Sequence, residues 1–149
     1  MAGATAGGHL MGRIGPRALA ALGFTTAAVG FAGPARFEGA AVLVVGLTMA
    51  AAGLGVLFVT AAATALGQVA PHESGIASGI VSTFHEFGAS IGAAVISSVA
   101  AASLAGSITQ GFEAGFTLAV VVAAVAAGLS LLLVPGKPAR SNQLLEGEL

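Results

Sequence analysis

The chain has 149 residues, of which 56% are hydrophobic and 7% charged, with a net charge of −1. A soluble domain carries about 25% charged residues, so water is not the solvent for most of this chain. The near-neutral balance offers no basic surface for nucleic acid. The absence of Cys excludes disulfides, thiolate metal sites and thiol catalysis, and three scattered His make no metal cluster. No motif asks for a cofactor. With no Trp or Tyr to form an interfacial belt, Phe and Arg must mark the membrane boundaries.

Met1 to Gly8 (MAGATAGG) lacks the basic start and long apolar core of a signal peptide. It reads as the tail of an earlier helix, so the chain is expected to be a fragment. Residues 1–17 are then the end of that helix and a Gly/Arg loop, GHLMGRIGPR. The first apolar run, residues 18–33, is short for a bilayer that needs about 20 residues. Extended to Ile14 and Phe37 it can span, with its Arg side chains snorkelling to the surface. Pro34 to Gly39 is a turn. The second span is placed at 40–68, in a stretch without charge that would be about 45 Å long as a helix. Gly46 and Gly53 share a face there and are expected to pack, and the Thr60 and Thr64 hydroxyls can bond back to their own helix.

Pro71 breaks that helix, and Ser74 or Glu73 can cap the next, placed at 75–104. This third span, GIASGIVSTFHEFGASIGAAV at its core, organises the chain. At 100° per residue it has two stripes of small or polar residues. Gly79 and Glu86 mark one; Ser78, Ser82, His85, Gly88 and Gly92 mark the other. Gly75/Gly79 and Gly88/Gly92 are expected to be packing pairs, because small residues let helices approach closely in lipid. Glu86 lies about 16 Å into the helix, near midplane. Ionisable groups at such depth are costly and normally face a cavity or partner. Glu86, His85 and Ser82 are therefore the candidate proton or substrate pathway. Ala105 to Glu113 reads as a polar loop, 114–134 as a fourth span, and 135–149 as a polar cytoplasmic tail. Arg13, Arg17, Lys137 and Arg140 flank the end segments, against Arg36 alone on the other side. This bias places both termini in the cytoplasm of a multi-pass cell-membrane protein.

Two stretches resemble the major facilitator superfamily. In the first loop, Gly8, Leu10, Arg13, Gly15, Pro16 and Arg17 match the pattern G-R-L-x-D-R-x-G-P-R of its drug exporters, with Gly12 where the family usually has Asp. From Leu57 onward the chain is similar to the penultimate-helix region of fourteen-helix drug:proton antiporters of the EmrB/QacA type. Pro71 precedes a G-x-A-S-G core, Gly75 to Gly79, and Gly88 and Gly92 match the following G-x-x-x-G. His85 and Glu86 stand where that family often has Arg and Gln. The resemblance implies an all-α integral membrane fold, about four transmembrane helices forming the C-terminal part of a facilitator bundle. It makes Gly8, Arg13, Gly15 and Arg17 a gate-like loop. It also implies missing N-terminal helices as partners, beside the bilayer, a small-molecule substrate and protons.

The expected function is the C-terminal portion of a proton-coupled multidrug or small-molecule exporter, not competent alone. The alternative is a small stand-alone four-helix membrane protein that oligomerises or binds a membrane partner. A membrane enzyme is disfavoured, because no nucleophile with a positioned base and no phosphate loop is visible.

Overall fold

The computed structural model describes residues 15–103, 108–134 and 136. Gly8 and Arg13 of the loop, Lys137 and Arg140 lie outside the described residues. Among those described there are four α-helices, one short 3-10 turn and no strand. The helices are α1 (Pro16–Ala32), α2 (Ala40–Leu66), α3 (Ser74–Ser103) and α4 (Ile108–Leu133).

The starts of α1, α2 and α3 and the ends of α1 and α2 have local causes. Gly15, at φ 82°, turns the chain into α1, and Pro16 at the first helical position presets the helical φ. Gly33 and Pro34 end the helix, and the Ala35, Arg36 and Phe37 amides bond back to Phe31 and Gly33. Gly39, at φ 134°, opens α2, and Gly67 closes it with its amide on the Ala63 carbonyl. Pro71–Glu73 forms the 3-10 turn that leads into α3. The Ser74 hydroxyl donates to the Pro71 carbonyl at 2.8 Å, so it fastens this turn instead of capping α3. The stretch expected as a loop up to Glu113 is helical from Ile108. Gly111 reads as a turn residue in the sequence, yet it is buried inside α4.

α1 lies between α2 and α4, α4 packs on α3, and α3 meets α2 lightly. The α1–α2 seam is built from glycine. A Cβ on Gly30 would sit 2.5 Å from the Ala50 nitrogen and 2.7 Å from the Gly46 oxygen. One on Gly53 would sit 2.5 Å from the Gly23 oxygen. In each helix the two glycines are seven residues apart, so two antiparallel backbones touch twice, two turns apart. Gly46 and Gly53 therefore pack as their shared face suggests. Thr60 and Thr64 donate to the Val56 and Thr60 carbonyls, which satisfies their hydroxyls within α2.

The interior holds small side chains: Ala20, Ala27, Ala50 and Ala123, with Leu19 the large side chain that is fully buried. Large apolar side chains point outward instead, among them Val45, Phe84, Leu132 and Leu133. In water this arrangement would waste the hydrophobic effect; in lipid, close backbone packing holds the helices and the apolar surface faces the acyl chains. Among the described residues three helical stretches, Ala40–Leu66, Pro71–Ala101 and Gln110–Leu133, are long and apolar enough to cross a membrane. α1 has 17 residues, shorter than a typical span.

Candidate functional site

α3 is the least covered helix. It rests on α4, where the place of a Gly115 Cβ lies 3.4 Å from Ile96 and 3.7 Å from Ala100. Its contact with α2 includes the ring of His85, edge-on to Phe58 with centroids 4.9 Å apart. Around Gly75, Gly79, Gly88 and Gly92 there is open space: a Cβ on any of them would meet nothing within 4 Å. Their faces do not pack within these four helices. The close-packed glycines are Gly23, Gly30, Gly46 and Gly53 instead. Gly92 borders the cavity between the helices.

Ser82 and Glu86 share one exposed hollow of about 450 Å³ with Thr83, Phe87 and Ser90. Thr83 donates to the Gly79 carbonyl and Ser90 to the Glu86 carbonyl, so those hydroxyls are used within α3. The Ser82 hydroxyl and Glu86 carboxylate have no hydrogen-bond partner among the described residues. By the helix rise Glu86 sits about 18 Å from the start of α3, near its middle. The carboxylate faces away from the other three helices, not into an interior formed by them. Consecutive residues turn by 100°, so His85 faces α2 while Glu86 faces outward. The candidate pathway residues are thus split: Ser82 and Glu86 together, His85 apart. Among the described residues no His, Asp and Glu cluster could hold a metal ion.

Two of the gate-like loop residues, Gly15 and Arg17, are among the described residues. The Arg17 Nε donates to the Val134 carbonyl at 2.7 Å, at the end of α4. Gly15 lies beside the same segment, its Cβ position 2.8 Å from the Gly136 oxygen. The sequence reading did not pair these ends. The available signal was a helix C-terminus with unsatisfied carbonyls and a cation able to reach it.

The family pattern of the major facilitator superfamily matches residues 1–149. The chain belongs to the major facilitator superfamily. No curated protein and no solved structure matches it. Membership in this membrane transporter family makes the bilayer the solvent for the apolar outer surface of this facilitator chain. It also directs attention to helix faces that could line a small-molecule path.

Proposed function

We propose that the chain is the C-terminal part of a proton-coupled exporter of drugs or other small molecules, of the EmrB/QacA type, which works with further helices packed on α3. The observation that carries this reading is the bare face of α3, with Ser82 and Glu86 near mid-helix. An acidic group at the bilayer centre costs roughly 3 kcal/mol, so this face calls for water or a polar partner. A second helical layer would supply it and would place Glu86 along the path between layers. Both termini are cytoplasmic in this reading, and the membrane is the cell membrane.

The test is proton-driven efflux in inverted vesicles by the chain together with whatever its reading frame encodes upstream of Met1. Loss of proton-driven efflux in Glu86→Gln with downhill exchange and membrane abundance retained supports the reading; unchanged coupled efflux refutes it. The stand-alone alternative rests on the same bare face, covered by a second copy. Stable, stoichiometric self-assembly of the purified 149-residue chain would favour it.

A further inference from the structure

The four helices do not close completely. α3 leans on α4 and touches α2 near His85 and Phe58, leaving a cavity of about 630 Å³ that all four line and that opens to the outside past the exposed Val95, Phe112 and Val122. Its floor includes Ala27, Gly111 and Ala123, all buried. Four of the chain's eight Phe line it: Phe24, Phe31, Phe112 and Phe116. The Phe31 and Phe116 rings are tilted at 40° with centroids 6.3 Å apart. Among the described residues that line it none is charged, and Ser97, exposed at its edge, is the one with a polar side chain. The neighbouring Ser98 donates to its own helix at the Ala94 carbonyl. Ser97 has no hydrogen-bond partner among the described residues.

We infer that this cavity is a binding site for a neutral aromatic small molecule with one hydrogen-bonding group. The volume falls in the drug-sized range of about 300–1,000 Å³. Four phenyl rings give faces and edges to another aromatic ring, a gain that a saturated acyl chain does not share. A cation or anion would enter with no counter-charge, which lipid surroundings penalise. The free Ser97 hydroxyl supplies one polar point, as a donor or an acceptor. Every described residue of its lining belongs to these four helices, so the inference does not depend on the export reading.

The sequence holds no Trp, so one introduced Trp is a clean reporter. Phe116→Trp, or Leu118→Trp should the first fail to insert, places it on the cavity wall. Phe84→Trp, 74% exposed and outside the cavity, reports simple partitioning into lipid. The full chain in lipid vesicles is titrated with the neutral fluorophore N-phenyl-1-naphthylamine. Energy transfer from the cavity Trp is expected to saturate with the probe-to-lipid ratio, while the Phe84→Trp signal rises without saturating. Ala119→Leu or Gly92→Leu, each filling the cavity, should remove the saturable part. In displacement, Ser97→Ala should weaken 1-naphthol by about threefold to tenfold and leave naphthalene unchanged. A cavity Trp signal indistinguishable from the Phe84→Trp control overturns the site. Saturable transfer that survives both filling variants moves it elsewhere and also overturns the assignment. Equal weakening of both competitors by Ser97→Ala overturns the role given to the hydroxyl.

Discussion

The Arg17 Nε and the Val134 carbonyl, 117 residues apart in sequence, meet at 2.7 Å. The last four carbonyls of a helix have no partner within it, and the helix dipole makes that end negative. A guanidinium carried at the start of α1 answers both needs at the end of α4. Beside it, Gly15 at φ 82° leaves room for the Gly136 carbonyl where a side chain would collide. The first and last described helices are thereby clasped at one end of the bundle, the end next to the loop that resembles a facilitator gate.

We predict that Arg17→Ala loosens this clasp by about 1 kcal/mol, a modest effect because the pair is exposed. Arg17→Lys should keep the charge and recover part of the loss, since an ammonium lacks the planar fork. Thermal unfolding midpoints of the three chains in the same detergent check the order. Identical midpoints for Arg17→Ala and the parent would show that the clasp contributes nothing.

At the α1–α2 seam the expected effect is larger. Gly30→Val drives a branched side chain into the Ala50 and Gly46 backbone, which cannot rotate away. Overpacking of this kind costs about 3 kcal/mol, enough to unseat a marginal helix pair. Within these four helices Gly79→Leu meets nothing. Gly30→Val should therefore abolish accumulation in the membrane whether or not further helices are present. Gly79→Leu should do so only if another layer packs on α3. Normal accumulation of Gly30→Val would contradict the glycine seam.

Much of this fold was legible because lipid imposes simple rules. Gly39 and Pro71 bracket an apolar run that could only be a helix, and the structure places α2 between them. The seven-residue spacing of Gly46 and Gly53 marked a packing face, because in lipid small residues serve close approach. The same rule misread the start of α4: Gly111 looks like a turn residue, but its lack of side chain serves burial. It also could not name partners. Gly75, Gly79, Gly88 and Gly92 carry the same signal as Gly46, and nothing local distinguishes a glycine packed within four helices from one facing open space. The partner of Arg17 was not named for a different reason: the helix end signals a need for a cation, but the need sits on a backbone carbonyl that has no letter of its own and does not say which cation meets it. For the site, depth and stripe followed from helix geometry, whereas the outward aim of Glu86 depends on which helices cover α3.

His85 and Phe58 form the ring contact between α3 and α2. An edge-to-face pair of this kind is worth about 1 kcal/mol beyond burial. A double-mutant cycle with His85→Leu and Phe58→Leu, read by unfolding midpoints, should give a coupling of that size. His85→Leu alone should leave proton-coupled transport close to the parent, because the ring is spent on a packing contact. A loss of coupling as deep as that of a Glu86 variant would return His85 to the proton path.

The Ser82–Glu86 hollow offers the sharpest discrimination. Both side chains lack partners among the described residues and share one exposed face. If further helices cover that face, Glu86→Gln keeps the size and hydrogen bonding of the side chain but removes its charge and its titration. Proton-driven efflux should then fall by about tenfold or more, the effect of about 1.4 kcal/mol on a rate-limiting step. Downhill exchange that needs no proton turnover should survive. Glu86→Asp keeps the titratable group and should retain part of the coupled rate, and Ser82→Ala should have a smaller effect because it removes only one hydroxyl. A structural role for Glu86 gives a different pattern: Gln and Asp variants then lose coupled efflux and exchange together, in step with the amount of protein in the membrane. Measuring both transport modes against membrane abundance separates the two, and parallel loss of all three would remove Glu86 from the proton path.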